Sequence, residues 1–232
     1  MAAPRKTPRV PPLEPGDHLT RDEFERRYDA MPGLKKAELI EGVVYLPSPI
    51  RQPRLSSPRV DLIGWLGSYR VYTPGVEGGV NCTVRLDPNN EPQPDTLLLI
   101  EPDYGGQVRI SDDDLIVGAP ELMADVAARE AADLETKLRV FRRNGVREYL
   151  VWRVLDQAID WFILRQGNYD SLPPGADGVY RSEVFPGLWL DAAALVRRDL
   201  AAVLRVLQQG LASPEHAAFV ARLRQAGAAG NP

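Results

Sequence analysis

Cysteine and histidine are nearly missing from this sequence. One thiol, Cys82, stands among 232 residues, so no disulfide can form within the chain. That is the cysteine usage of a reducing compartment, and the cytoplasm is the expected location. The two histidines, His18 and His216, lie near opposite ends, which argues against a Cys/His zinc site and a Ser-His-Asp triad. Chemistry would have to use carboxylates and lysine. Long apolar runs are missing too: no stretch approaches the ~18 residues of a membrane span. The opening Met-Ala-Ala-Pro-Arg-Lys-Thr-Pro lacks the apolar core of a secretory signal. There is no large charge excess: 28 basic and 32 acidic residues leave a net charge of -4. Whole-chain attraction to nucleic acid or an anionic membrane is therefore not expected, and any such contact must come from a local basic patch. No G-x-G-x-x-G or G-x-x-x-x-G-K-[ST] occurs, so nucleotide-binding folds lose their main support.

What is present is the composition of a globular chain, 44% hydrophobic and 26% charged. Residues 1–16 are proline-rich and basic and read as a disordered tail. Thr20 and Glu23 have capping-box spacing ahead of the stripe Phe24, Tyr28, Met31, which predicts a first helix. Two short strands flank Glu41-Gly42, stopped by Pro47 and Pro49. Ser57-Pro58 reads as the start of a second helix with Leu62, Leu66 and Tyr69 on its apolar face. Val80–Leu86, Asp95–Ile100, Glu121–Ala127, Glu148–Trp152 and Ala158–Leu164 read as strands, and residues 101–114 as a loop. A helix is expected from Ala131 to Arg143, ended by Asn144-Gly145, and a small edge hairpin within Val179–Leu190. From Ala192 the chain turns helical to about Gln225, an appendage or partner surface. The order gives an α/β class, α+β-like: a mixed sheet flanked by helices. The expected division is a tail at 1–16, one domain at 17–199 and a C-terminal helical tail at 200–232.

One constellation could carry chemistry. Asp95 opens a buried strand, Asp125 ends the next, and Lys137 follows in the helix behind it. Two carboxylates at strand ends can hold one hard divalent cation, and Mg²⁺ suits few protein ligands and several waters. Lys137 lies about 60° from the core stripe Leu134, Leu138, Phe141, so its stem can reach the sheet. It could orient a water or stabilise charge on a phosphoryl oxygen. Taken singly, each residue has an ordinary role: Asp95 in a turn, Asp125 as a strand-end polar group, Lys137 paired with Asp133 at i, i+4. Arg139, Arg142 and Arg143, with Arg147 beyond the helix, form a basic outer face; such faces are more often solvated than DNA-binding, but this is the local patch through which DNA contact is expected. Glu38 and Glu41 read as solvated hairpin positions.

Four segments carry a resemblance. Glu38-Leu-Ile-Glu-Gly-Val-Val-Tyr-Leu-Pro-Ser-Pro, Gln93-Pro-Asp95-Thr-Leu-Leu-Leu, Gly118-Ala-Pro-Glu-Leu-Met-Ala-Asp125-Val, and Asp133-x-x-x-Lys137 with Gly145-Val-Arg-Glu-Tyr-Leu-Val-Trp152 follow in order. Over roughly residues 18–190 the chain resembles the restriction-endonuclease domain family, a bacterial branch of the PD-(D/E)XK nuclease superfamily. The resemblance implies a restriction-endonuclease-like core, a Mg²⁺-dependent DNA endonuclease activity with Mn²⁺ as a substitute ion, and a homodimer, because two strands need two sites. It gives the lysine role to Lys137, since Ala127 occupies the position two residues after the strand acid. It adds Glu38 as a metal ligand or a support to one. The sequence departs from the pattern in three places: Asp125 stands for glutamate, no histidine follows the first segment, and Ala127-Ala128 replace serines. These departures motivate a second reading, a weakened or inactive nuclease fold that binds DNA or protein. A third is an oligomeric scaffold built through the C-terminal helices.

Overall fold

The sheet at the centre of the molecule sorts its side chains by strict alternation, and that alternation places the site. The computed structural model describes residues 10–46, 53–128 and 134–230. The expected features at residues 1–9, Pro47, Pro49, Arg129, Glu130, the first helical turn at 131–132 and Asp133 lie outside them.

The chain begins with helix α1 (Arg21–Asp29) and the hairpin β1 (Glu38–Ile40) and β2 (Val43–Tyr45). Glu41 and Gly42 both take positive φ, 52° and 75°, and Ile40 pairs with Val43. That is the two-residue turn whose twist matches the strands it joins. Thr20 does cap α1 by position, but its side chain makes no capping bond. Glu23 is bonded instead by Arg26 and Arg27, charge-assisted contacts stronger than a backbone N–H. Residues 10–16 are ordered against this unit: Leu13 is buried with Phe24, Leu39 and Val44, and the Gly16 amide donates to Val44.

Helix α2 (Pro53–Val71) starts a turn earlier than Ser57, with Pro58 inside it. Next come β3 (Val76–Gly79), β4 (Val84–Arg85), β5 (Thr96–Ile100), a 3₁₀ turn at Pro102–Tyr104, β6 (Arg109–Ile110), β7 (Ile116–Val117) and β8 (Leu122–Ala127). Helix α3 (Leu134–Asn144) leads to β9 (Glu148–Arg153), β10 (Ala158–Arg165) and β11 (Asn168–Ser171). The hairpin β12 (Val179–Arg181) and β13 (Trp189–Asp191) precedes α4 (Ala192–Val196), α5 (Leu200–Leu211) and α6 (Pro214–Gly230).

The main sheet has the order β11-β10-β9-β8-β5-β3. Within this sheet only β8 and β9 run parallel, and α3 is their crossover, as a parallel pair requires. The strand expected at Val80–Leu86 is only β4, whose two residues join a small β4-β7-β6 sheet. The edge strand lies earlier, at β3, where Gly78 and Gly79 let the chain pass close to Leu97.

One face of the main sheet carries Leu98, Leu122, Ala124, Val126, Leu150 and Trp152. They pack on α2 through Leu62, Trp65, Leu66 and Tyr69, and on the C-terminal helices through Val203, Leu207, Phe219 and Leu223. The segment expected as a helical tail thus contributes to the largest core. The other face carries Leu97, Leu99, Met123, Tyr149 and Val151 against Leu134, Val140 and Phe141 of α3. Among the described residues no helix is long and apolar enough to cross a membrane.

Candidate active site

Alternation puts Asp95 on the α3 face with Leu97 and Leu99, and Asp125 there with Met123. Register then makes them neighbours. Thr96 pairs with Ala124 across β5 and β8, so the adjoining residues, Asp95 just before β5 and Asp125 within β8, meet. The Asp95 amide donates to Asp125 Oδ1 at 3.0 Å, and the Val126 amide donates to Asp95 Oδ2 at 2.9 Å. Each carboxylate is clasped by the other's strand.

Lys137 arrives from α3, one turn into the helix behind the strand. Its Nζ lies 3.1 Å from Asp125 Oδ2 and 3.2 Å from Glu38 Oε2. Glu38 is brought in by β1. It is 6% exposed, so it is not the solvated hairpin residue its sequence context suggested. Its Oε1 accepts from the Gln93 amide at 2.9 Å, just ahead of Asp95. The structure thus brings Glu38, Asp95, Asp125 and Lys137 into one cleft from four separate segments.

Three further side chains complete the cleft. Tyr149 on β9 donates its hydroxyl to Asp125 Oδ2 at 2.8 Å. Lys36, ahead of β1, bonds Asp95 Oδ1 at 2.9 Å. Arg59 on α2 places Nε 2.8 Å from Asp95 Oδ2. Sequence reasoning passed over all three, although each left a signal. Arg59, Leu62, Leu66 and Tyr69 are spaced 3, 4, 3, so Arg59 extends the apolar stripe of α2 by one charged position. Tyr149 alternates with Leu150 and so faces α3 with Asp125's side of the sheet. Lys36 stands two residues before a buried glutamate, the weakest of the three signals.

The charges in the cleft balance. Glu38, Asp95 and Asp125 face Lys36, Arg59 and Lys137 across a volume of about 160 Å³. Burial works against the charged form of Asp125. Lys137 and Lys36, the Tyr149 hydroxyl and the Asp95 amide outweigh it and hold the carboxyl well below its ordinary range. Burial and the neighbouring Asp125 charge push the Tyr149 hydroxyl far up, so it stays protonated and donates.

The donor set can be tested against a metal ion by counting lone pairs. A carboxylate accepts about four hydrogen bonds, two per oxygen. Asp95 Oδ1 has one partner, Lys36, and Asp125 Oδ1 has one, the Asp95 amide. Two hard oxygens therefore keep accepting capacity in a cleft with room for water. Among the described residues no three acidic, histidine or cysteine side chains form a group that could hold an ion. Glu38 is turned onto Lys137 instead. The set fits a cation held by two carboxylates and completed by water, as Mg²⁺ prefers.

The arginines expected as a DNA-binding face lie elsewhere. At about 100° per residue, Arg139, Arg142 and Arg143 all sit about 120° or more around α3 from Lys137. Arg139 and Arg143 are paired with Glu41, and Arg143 also with Asp87. Arg142 bonds Asn168 and Arg147 bonds Gln107. Much of the expected free positive charge is therefore neutralised or tied down, because the β1–β2 turn brings Glu41 against the helix.

Comparison with known proteins adds to this geometry. A family model described as "Putative restriction endonuclease" matches residues 21–193. Among solved structures, a protein of Anabaena variabilis ATCC 29413, described as a putative nuclease belonging to DUF820, is 14% identical. The superposition covers 77% of this chain and 99% of that one with a TM-score of 0.54, which shows a shared fold. No curated protein matches.

Proposed function

This chain belongs to the "Putative restriction endonuclease" family, and on that premise we propose that it hydrolyses phosphodiester bonds in DNA with Mg²⁺, or Mn²⁺ in its place. One observation carries the reading: Asp95, Asp125 and Lys137 converge in one cleft from the start of β5, from β8 and from α3, with Lys137 Nζ 3.1 Å from Asp125. Asp95 and Asp125 would hold the cation, and Glu38 supports Lys137 from the far side. A divalent cation bound there supplies a more acidic water and charge neutralisation at a phosphoryl oxygen. Lys137, held between Glu38 and Asp125, keeps its ammonium at the cleft wall, where it can donate to the attacking water or to a phosphoryl oxygen. Tyr149 holds one oxygen of Asp125 and so fixes the direction in which the other faces. Duplex DNA has two strands, so a second copy of the chain is the expected partner. The reducing cytoplasm, where DNA lies in a bacterial cell, is the expected location.

The test is cleavage of supercoiled and linear DNA with Mg²⁺ or Mn²⁺ by the natural protein, Asp95→Ala and Lys137→Ala. Removing a preorganised charge at the reacting centre costs about 10²–10³ in rate, so both variants should lose at least that much. Equal rates in all three proteins would reject the site.

A second reading is favoured by Asp125 itself. Its oxygens already accept from the Asp95 amide, Tyr149 and Lys137, and its side chain is one methylene shorter than the glutamate of the family pattern. A displacement of about 1 Å matters to catalytic geometry. On this reading the protein is a weakened nuclease that binds DNA or protein. Cleavage that appears only in Asp125→Glu would establish it.

A further inference from the structure

Two of the three cations in the cleft, Lys36 and Arg59, contact Asp95, whereas Lys137 contacts Asp125 and Glu38. They come from the loop before β1 and from α2, two segments separate from α3. Their two contacts differ in kind. Lys36 makes a hydrogen bond to Asp95 Oδ1 at 2.9 Å. Arg59 Nε sits 2.8 Å from Oδ2, yet the nitrogen is buried and its N–H has no aligned acceptor. This is charge contact without a directed bond, on the same oxygen that accepts from the Val126 amide. About a quarter of the Arg59 side chain remains exposed while Nε is sealed, so the accessible part lies elsewhere along it.

The charge count sharpens the point. Three carboxylates and three cations line the cleft. A divalent cation entering at Asp95 and Asp125 meets two positive charges already on Asp95. A phosphate entering with it brings negative charge that those two cations can take. Lys36 and Arg59 are also the two cleft cations outside the lysine role, and a guanidinium presents five donors suited to phosphate oxygens.

We propose that Lys36 and Arg59 are exchangeable counter-ions of Asp95: they oppose metal binding at that carboxylate on its own and become the holders of the DNA phosphate when metal and substrate bind together. This rests on the nuclease reading above and names two phosphate-positioning residues within it. It makes metal and phosphate mutually dependent, since each relieves the charge imbalance the other creates.

The test measures metal and DNA separately in Arg59→Gln, Lys36→Gln and Arg59→Lys. Mn²⁺ affinity is read by calorimetry without DNA. Affinity for a short DNA duplex is read by fluorescence anisotropy in Ca²⁺ at several salt concentrations. Loss of a positive charge near the ion should tighten Mn²⁺ binding about tenfold in each glutamine variant. The same variants should bind duplex about tenfold more weakly, with the slope of log affinity on log salt reduced by about one. Arg59→Lys, which keeps the charge, should retain natural Mn²⁺ affinity. A residue that merely braces the fold would weaken both affinities together. Two positions are tested, so misfolding of one variant leaves the other to decide.

Unchanged or weaker Mn²⁺ binding in the glutamine variants, with binding abolished by Asp95→Asn, overturns the exchange and leaves the metal site standing. Natural duplex affinity and salt slope in both glutamine variants overturns it equally. Absence of Mn²⁺ binding in the natural protein rejects the nuclease reading and the exchange together.

Discussion

Asp125 and Glu148 are buried carboxyl groups on neighbouring parallel strands, and they are held in opposite ways. Asp125, on β8, faces α3 and the cleft, where Lys137 and Lys36 hold its carboxyl below the ordinary range. Glu148, on β9, faces the other core. Among the described residues no cation is bonded to it. It accepts from Ser182 Oγ at 2.8 Å, from the amides of Glu183 and Val184 at 2.9 and 3.1 Å, and from Trp161 Nε1 at 3.3 Å. Burial outweighs those four donors, and its carboxyl is pushed up to about 7. The difference separates two uses of a buried acid. Neutral donors make Glu148 a fastening between the sheet and the segment leading to β13. Full charges make Asp125 a group that stays ionised beside open space, as the proposed metal ligand must.

The largest effect expected from breaking this contrast is at Lys137. Lys137→Ala should abolish cleavage and also destabilise the fold by about 3–5 kcal/mol, because Glu38 and Asp125 lose a shared buried counter-ion. Urea denaturation gives the second number. A variant as stable as the natural protein would mean that the buried carboxylates do not depend on Lys137.

Glu148→Ala should cost about as much stability, roughly 3 kcal/mol, by stranding four donors. It should leave cleavage per folded molecule unchanged, because Glu148 lies across the sheet from the cleft. Measuring rate and denaturation midpoint on the same preparation separates the two. A catalytic defect without a stability defect would break the assignment of roles.

pH sharpens the comparison further, because the two groups must act with opposite sign. A raised pKa means the folded state binds the Glu148 proton more tightly than the unfolded chain. Stability from this group is therefore present at low pH and falls as pH rises from about 4.5 to about 7, by about 3 kcal/mol. Asp125 is depressed, so its contribution is present above the ordinary aspartate range and is lost as pH falls below it. Glu148→Gln should flatten the decline above pH 4.5 and Asp125→Asn should flatten the acid limb, read as unfolding free energy against pH. A single mutation that flattened both limbs would show that the two acids titrate as one system.

Much of this is legible in the sequence, and the reasons are physical. β8 and β9 are continuous apolar runs because both faces are covered, which marks buried parallel strands. Helical period brings Lys137 within reach of the sheet, and the resemblance gives it its role. Asp95 and Asp125 could be named, though their contact depends on a register that sequence does not print. β11 was missed although Gln166-Gly167, both at positive φ, marks the same tight turn that Glu41-Gly42 makes. The β4-β7-β6 sheet was invisible because two-residue strands carry no period. Lys36 and Arg59 were missed because their significance lies in what they face across the fold.

The smallest effect should come from the outer arginines, and it completes the comparison by adding charges that are neither buried nor in the cleft. Arg139 and Arg143 are about half exposed and share Glu41. In water such pairs contribute about 0–1 kcal/mol, since solvent screens the attraction and two long side chains must be held still. The double variant Arg139→Gln, Arg143→Gln should therefore unfold within about 1 kcal/mol of the natural protein. Its DNA affinity should fall less than that of Arg59→Gln alone, although it removes two charges to that variant's one. Counting charge predicts the reverse order, so anisotropy titration of both variants at one salt concentration decides between them. Position decides because a phosphate in the cleft lies around the helix from Arg139 and Arg143, whose charge already rests on Glu41 and Asp87.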